Sequence, residues 1–191
     1  MNITGVILAG GKSSRYGKPK MFERFRGRPL YKVAVDAFEK NALPVVIATN
    51  ETLLPYFSDE NVTFITEQTP HEGPLYALTH VMEQVESDWY FVVAADMPFI
   101  DAAFIATLCR QITANCDAVI PTSNDNLQPL AALYHRRALE QAKQALFDNK
   151  RSMRALLHQV RVSFVEMNDT TTFLNINAVE DWPQGDKGDN E

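Results

Sequence analysis

The sequence predicts an α/β domain of three layers, in which helices cover both faces of a mostly parallel central sheet. Two observations predict this class. Short apolar runs rich in β-branched residues recur along the chain, and several lack alternation, which is typical of strands buried on both faces. Helical stretches separate these runs, and strands that alternate with helices form mostly parallel sheets.

Each element follows from its own run of residues. The predicted strands are the apolar runs at 6–9, 45–48, 62–65, 89–95, 118–120, 130–134 and 162–167. The predicted helices cover 29–40, 74–84, 101–113, 137–147 and 153–158. Pro29 and Pro74 suit the first turn of a helix, where the missing N–H of proline leaves no hydrogen bond unmade. Asp101 is well placed to cap the helix that begins at Ala102.

Length and composition bound the organisation of the chain. Its 191 residues predict a single domain over 1–182, followed by an acidic tail at 183–191 that we expect to be flexible. Hydrophobic residues make up 46% of the chain and charged residues 22%, which excludes the disordered, collagen-like and coiled-coil classes. Cys109 and Cys116 show no metal-ligand spacing, so we expect ordinary thiols rather than a disulfide scaffold or a zinc site.

The apolar runs and the N-terminus predict a location. The longest apolar run, at 89–95, is about a third of the roughly 20 residues that a membrane helix needs. The first residues lack the basic and then apolar pattern of a signal peptide. We therefore expect a cytoplasmic protein without a membrane partner.

The net charge of −6 is unevenly distributed. Residues 1–32 hold eight of the 18 lysines and arginines against Glu23 alone, so this segment carries +7 and the remainder −13. An acidic protein repels a polyanion as long as a nucleic acid, whereas a small basic focus attracts a compact anion such as a triphosphate. We expect no nucleic-acid partner, and a solvated basic loop is the alternative to an anion site.

A glycine-rich segment follows the first predicted strand. Residues 8–20 read Leu-Ala-Gly-Gly-Lys-Ser-Ser-Arg-Tyr-Gly-Lys-Pro-Lys. Glycines let the backbone approach a phosphate with its N–H groups turned inward, and lysine and arginine add charge. The segment is not a dinucleotide fingerprint, because Lys12 replaces the second glycine, nor a Walker A loop, because Pro19 follows Lys18. A phosphate-binding loop is favoured over an ordinary turn, because such turns seldom carry four cations.

Polar residues also follow the ends of other predicted strands, where the ligands of an open α/β sheet collect. Asp96 ends the run at 89–95, and Mg²⁺ suits one carboxylate completed by phosphates and water. A helix cap or a loop acid is the alternative for Asp96. Asn50, Asn175 and Asn177 have amides that could orient a ligand, although asparagine is equally common in turns.

Together these segments resemble a known family. The loop at 8–20 resembles the Leu-Ala-Gly-Gly-x-Ser-x-Arg-x-Gly and Lys-Pro-Lys signature of the nucleotidyltransferases, and within them that of the molybdenum cofactor guanylyltransferases. Later motifs of that family are similar to Gly-Pro-Leu at 73–75, Ala-Asp-Met-Pro at 95–98 and Asn-Ile-Asn at 175–177, and they occur in the same order. The resemblance covers about 7–181 and implies a three-layer Rossmann-like nucleotidyltransferase fold.

The resemblance also implies a role for each matched position. Leu8, Ala9 and Gly10 would meet the purine base and sugar through their backbone, and Gly11 would approach the phosphates. The implied catalytic residues are Arg15 and Lys20 on the phosphates and Asp96 on Mg²⁺. The other implied ligand contacts are Asn50, Glu67 in place of the family's aspartate, Gly73, Asn175 and Asn177.

The activity implied by the resemblance is nucleotidyl transfer. The terminal phosphate of molybdopterin would attack the α-phosphorus of GTP, releasing pyrophosphate and leaving a guanine dinucleotide form of the cofactor. Other proteins that make or receive the molybdenum cofactor are expected partners. The alternatives are a cytidylyltransferase of the same cofactor, a sugar-1-phosphate nucleotidyltransferase and a nucleotide-binding regulatory module without turnover.

Overall fold

An eight-stranded sheet forms the middle layer of the protein. The structure is a computed structural model that describes residues 1–11, 19–58, 61–67, 69 and 71–176. Ten strands occur in these residues: β1 (Ile3–Leu8), β2 (Arg24–Phe25), β3 (Arg28–Pro29), β4 (Val45–Thr49), β5 (Thr63–Thr66), β6 (Trp89–Ala94), β7 (Ala118–Ser123), β8 (Asn126–Leu127), β9 (Ala131–His135) and β10 (Val162–Glu166). β2 and β3 pair with each other as a separate hairpin.

The sheet is mostly parallel, as predicted. Its order is β10-β7-β9-β6-β1-β4-β5, with β8 paired to β7. β1 pairs in parallel with β4 and β6, β4 with β5, and β7 with β10. β9 runs antiparallel to both of its neighbours, β6 and β7. The carboxyl ends of β1, β4, β5 and β6 therefore lie at one edge, where the polar residues that follow these strands come together.

Helices cover both faces of the sheet. The described residues contain five α-helices: α1 (Leu30–Glu39), α2 (Pro74–Gln84), α3 (Ala102–Cys109), α4 (Leu139–Phe147) and α5 (Met153–Leu157). α1 and α3 pack on one face, where Phe38, Phe91 and Phe104 are buried in one hydrophobic cluster. α2, α4 and α5 pack on the other, around Leu78, Met82 and other apolar residues of a second cluster. These two cores and the sheet between them confirm the predicted three-layer class.

Local chemistry explains where the helices begin. The Asp101 side chain accepts a hydrogen bond of 2.7 Å from the Phe104 N–H, so the predicted cap of α3 is confirmed. Pro74 is the first residue of α2, as predicted, whereas Pro29 ends β3 and α1 begins at Leu30. α3 ends at Cys109, four residues before the predicted end, and a 3₁₀ turn at Arg136–Ala138 leads directly into α4.

Two tight hairpins were not predicted. β2 and β3 are joined through Arg26 and Gly27, and β7 and β8 through Asn124 and Asp125. All four residues have positive φ angles, the backbone of a two-residue turn whose twist matches the flanking strands. Asn124-Asp125 is a composition typical of such a turn, so the sequence carried a signal for the second hairpin.

Other predictions concern the ends of the chain and the thiols. The predicted domain boundary at 182 and the tail at 183–191 lie outside the described residues. Cys109 and Cys116 are free thiols, and burial raises the pKa of Cys109 to about 11. Within the described residues, no helix has the length and apolarity needed to cross a membrane.

Candidate active site

A cleft of about 510 Å³ opens at the carboxyl edge of the sheet. Its walls come from the ends of β1 and β6, the loop that leads into α2, and the segment after β10. The predicted site residues that line it are Leu8, Gly10, Gly11, Lys20, Glu67, Gly73, Asp96 and Asn175. Residues separated by up to 167 positions in the sequence thus share one cavity, as expected for strand ends of an open α/β sheet.

The end of β1 forms the floor of the cleft. The Leu8 carbonyl accepts from the Ala95 N–H at 3.1 Å, and the Ala9 N–H donates to the Ala48 carbonyl at 2.8 Å. These bonds continue the sheet one residue past β1 on both sides. Ala9 itself is buried and is absent from the cleft lining, so any ligand contact from it would have to use its backbone, as the sequence predicts.

Lys20 and Asp96 face each other within the cleft. The Lys20 ammonium forms an ion pair with Asp96 Oδ2, and both side chains are more than 80% buried. Lys20 begins a 3₁₀ turn after Pro19, and Asp96 lies two residues past β6. The pair therefore places a cation and a carboxylate at one point of the cleft, where a phosphate could contact the lysine and a cation the carboxylate.

Glu67 packs against Gly10 on the β4 side of β1, whereas Asp96 follows β6 on the other side. A Cβ on Gly10 would lie 2.8 Å from Glu67 Oε1, so a larger residue at position 10 would displace the end of this side chain. Burial raises the pKa of Glu67, partly offset by a hydrogen bond from the His71 backbone N–H. The group thus holds its proton to higher pH than an exposed glutamate.

Gly73 shapes the start of α2 beside the cleft. Its φ angle is +97°, a conformation that other residues rarely adopt, and a Cβ there would lie 3.2 Å from the Arg151 carbonyl oxygen. The side chain of Arg151 forms an ion pair with Glu72. Glycine therefore suits the backbone conformation and avoids a close contact with this carbonyl, and Pro74 can then begin the helix.

The segment after β10 returns to the cleft through Asn175 and Ile176. The Ile176 N–H donates to the Asp96 carbonyl at 3.0 Å, and its side chain is buried with Phe25 and Leu30. Asn175, the preceding residue, is exposed and lines the cleft. The backbone of the Asp96 loop thus holds the C-terminal motif in place.

Asn50 lies outside the cleft lining, and two further predicted site residues are not among the described residues. Asn50 is buried, and its Oδ1 accepts from the Leu53 N–H at 3.1 Å, the turn-forming arrangement that the sequence left open. It does not contribute to the cleft lining. Arg15 and Asn177 lie outside the described residues, as do Lys12 and Lys18, so their predicted roles stay predictions.

The structure also adds residues that sequence reasoning missed. Met21 and Ala77 line the cleft with apolar surface, and His71 lines it beside Gly10. The His71 Nδ1 lies 3.0 Å from the Gly10 carbonyl oxygen, and its φ angle is 71°. Neither spacing nor composition marks this histidine, because its contact with Gly10 spans 61 residues of sequence.

The donor chemistry fits a hard divalent cation at Asp96. Oδ2 of its carboxylate contacts Lys20, which leaves Oδ1 as an oxygen ligand. In the described part of the chain, no group of three or more His, Cys, Asp and Glu side chains could hold an ion by itself. A cation at Asp96 would take its other ligands from substrate phosphates and water, the arrangement that Mg²⁺ prefers.

Comparison with known proteins agrees with this geometry. The MobA-like NTP transferase domain model matches residues 5–163. A probable molybdenum cofactor guanylyltransferase from Bacillus anthracis is 32% identical over 190 residues, covering 96% of this chain and 95% of that protein. A protein with the same name from Geobacillus is 31% identical over 92% of this chain and 94% of its own length.

Solved structures share the fold. The molybdopterin-guanine dinucleotide biosynthesis protein A from Archaeoglobus fulgidus superposes with a TM-score of 0.75 at 23% identity, covering 95% of this chain and 94% of that one. A 4-diphosphocytidyl-2C-methyl-D-erythritol synthase from Anaerococcus prevotii reaches the same TM-score at 13% identity, covering 94% of both chains. With a domain match over most of its length and relatives at 32% identity, the chain belongs to the MobA-like NTP transferase family and is a nucleotidyltransferase.

Proposed function

We propose that this protein transfers GMP from GTP to the terminal phosphate of molybdopterin, releasing pyrophosphate and forming the guanine dinucleotide form of the cofactor. The observation that carries the proposal is the buried Lys20–Asp96 pair within a cleft whose floor is the end of β1 and the glycines that follow it. The names of the relatives, guanylyltransferases at 31–32% identity, support guanine as the transferred base.

The reaction needs little acid–base chemistry. An oxygen of the acceptor phosphate forms a bond to the α-phosphorus of GTP, and the bond from that phosphorus to the pyrophosphate oxygen breaks. The nucleophile is already anionic, so no general base has to remove a proton. Catalysis then depends on in-line positioning and on neutralising charge.

The side chains of this protein divide that work. Lys20 binds an oxygen of the reacting phosphate and offsets the charge that develops on it, and Arg15 assists on the departing pyrophosphate. Nucleotidyltransferases of this family generally use a divalent metal ion, and we propose that Asp96 holds Mg²⁺, which supplies charge neutralisation between phosphates when bound. Asp96 also keeps Lys20 in the cleft before substrate arrives, through their ion pair.

The remaining residues bind the two substrates. Leu8, Ala9 and Gly10 line the base and sugar side through their backbone, while the N–H groups of Gly10 and Gly11 contact the phosphates. Glu67 and Gly73 complete the nucleotide side of the cleft, whereas Asn50, a ligand contact implied by the resemblance, lies outside the lining and holds the turn after β4. Asn175, which lines the cleft, and Asn177 are the proposed contacts for the acceptor. The proposal includes the cytoplasmic location predicted from the sequence, and partners that make or receive the molybdenum cofactor.

Thermal unfolding with GTP, CTP, ATP, UTP and NAD, each with and without Mg²⁺, tests the nucleotide preference. A ligand at 100 times its dissociation constant adds about 2.7 kcal/mol, or roughly 5–10 °C for a domain of this size. Selective stabilisation by GTP, enhanced by Mg²⁺, is the expected result. A CTP preference would indicate the cytosine dinucleotide instead, and stabilisation by NAD alone or by nothing would contradict the phosphate-loop argument.

Turnover with a pterin acceptor then tests the reaction. Multiple-turnover release of pyrophosphate from GTP, dependent on molybdopterin, is expected. Pyrophosphate release that depends on a sugar 1-phosphate instead would show that the acceptor is a sugar phosphate and not molybdopterin. Saturable GTP binding without turnover would indicate a regulatory module.

A further inference from the structure

Three successive carbonyls at the end of β1 each have a partner from a different element. The Leu8 carbonyl accepts from the Ala95 N–H, which follows β6. The Ala9 carbonyl accepts from the Thr49 hydroxyl at 3.2 Å, and Thr49 ends β4. The Gly10 carbonyl lies 3.0 Å from His71 Nδ1, in the loop before α2. The first bond continues the sheet, whereas the second and third come from side chains.

These side-chain bonds constrain two N–H groups. A peptide unit is planar and trans, so the N–H of one residue points opposite to the carbonyl of the residue before it. Thr49 therefore sets the direction of the Gly10 N–H, and His71 sets that of the Gly11 N–H. Within the described residues, neither N–H has an acceptor, although an unpaired backbone N–H is a strong donor.

The resulting directions suit the cleft. β1 lies between β4 and β6 in the sheet. Because the Ala9 carbonyl points to the β4 side, the Gly10 N–H points to the β6 side, where Asp96 follows the strand. The Gly11 N–H points away from the His71 wall. Gly10, Gly11, His71 and Asp96 all line the same cleft.

We infer that His71 and Thr49 are positioning residues, which aim the backbone N–H groups of Gly11 and Gly10 at the phosphates of the bound nucleotide. The inference rests on the proposed function, because it requires a phosphate ligand in this cleft. Neither side chain needs to touch the reacting atoms. His71 acts through Nδ1–H, since a carbonyl oxygen only accepts and the proton must therefore lie on that nitrogen.

The surroundings of the two side chains support a dedicated role. Thr49 is completely buried, and its hydroxyl donates to the Ala9 carbonyl rather than to its own strand. The φ angle of His71 is 71°, which is uncommon for a residue other than glycine. The His71 backbone N–H also lowers the pKa of the Glu67 carboxyl group, the group that packs against Gly10.

Paired substitutions separate positioning from shape at His71. His71→Gly removes the side-chain donor while glycine tolerates the positive φ angle. His71→Asn removes the imidazole but keeps an N–H donor near the position of Nδ1, and asparagine also tolerates this conformation. For each variant, titration calorimetry measures the affinity for GTP with and without Mg²⁺, and competition measures the affinity for guanosine. The melting temperature without ligand checks that the variant is folded.

We expect His71→Gly to bind GTP about tenfold more weakly, the scale of one charge-assisted hydrogen bond. His71→Asn should bind GTP within about threefold of the wild type, and guanosine affinity should be the same in all three proteins. Equal GTP binding by His71→Gly and the wild type would overturn the inference. So would an equal loss for GTP and guanosine, because His71 would then only shape the wall.

Thr49 provides a second, independent pair of test variants. Thr49→Val keeps the shape but loses the hydroxyl, and Thr49→Ser keeps the hydroxyl. Only Thr49→Val should lose GTP affinity selectively over guanosine, and a loss confined to Thr49→Ser would contradict the inference. If the wild type prefers another nucleotide, the proposed GTP specificity fails. The inference is then tested by comparing the affinities of the variants for that triphosphate and for its nucleoside. If the wild type binds no triphosphate, both fail.

Discussion

Asp117 allows the stability of the sheet to be tested far from the cleft. It precedes β7 at the edge opposite Asp96, and its carboxylate accepts three hydrogen bonds from Arg161 and one from Arg137, at 2.9–3.2 Å. The Asp117 side chain is 12% exposed, whereas those of Arg137 and Arg161 are 46% and 62% exposed. The carboxylate thus joins the starts of β7 and β10 to the segment after β9.

The cost of Asp117→Asn follows from this geometry. The amide places an NH₂ group against a guanidinium and forfeits the charge assistance of three side-chain bonds. Because both arginines can return to water, each bond counts at the low end of its range, about 1 kcal/mol. The total is about 3 kcal/mol, which corresponds to a loss of roughly 8 °C in melting temperature for a domain of this length.

The pH dependence gives a second readout. Hydrogen bonds from Arg161, the largest cause, and from Arg137 hold the pKa of Asp117 well below its usual range. A carboxyl group with a lowered pKa stabilises the folded state fully above its unfolded pKa, and this contribution is lost as the pH falls through the folded pKa. The difference between wild type and variant should therefore be largest near pH 7 and shrink in acid below about pH 4.

Calorimetric or circular-dichroism melting at pH 7 and pH 3 measures both effects. Glu140→Gln is the matched control, because it makes the same chemical change on a side chain that is 78% exposed, and we expect a change within about 0.5 kcal/mol. Nucleotide binding by Asp117→Asn should be unchanged. A loss no larger than that of the control, or one that does not vary with pH, would refute the proposed clamp.

Three further predictions concern the cleft. Asp96→Ala should lower Mg²⁺-dependent turnover at least 100-fold while the protein still folds, since the side chain lies past the strand end; near-normal activity would remove Asp96 from the metal site. Lys20→Ala should lower kcat by about 100-fold and more than it weakens GTP binding, and a change confined to KM would make Lys20 a binding residue only. Glu67→Gln should raise the melting temperature at pH 8, because burial raises the pKa of Glu67 and its ionised form opposes folding. This gain in melting temperature should disappear as the pH falls below the ordinary glutamate pKa. Thermal unfolding of both proteins across pH measures it, and equal melting temperatures at pH 8 would contradict the prediction.

The type and order of most elements could be predicted because they depend on local patterns. The apolar runs at 89–95 and 118–120 became β6 and β7, and the first-turn proline of α2 and the cap of α3 lie where predicted. The direction of β9 could not be predicted, because antiparallel pairing with β6 and β7 depends on which strands become neighbours. A run of apolar residues carries no information about that choice.

The candidate site divides in the same way. Chemistry that resides in one side chain or one short segment, such as Asp96 after its strand or Gly73-Pro74 before α2, could be located from sequence alone, because parallel strand ends share one edge of the sheet. The turn contact of Asn50 and the contact of His71 with Gly10 were decided by tertiary structure. Hydrogen bonds depend on donor–acceptor distances to within a few tenths of an ångström and on the direction of the donor. In these contacts, the packing of distant segments sets both.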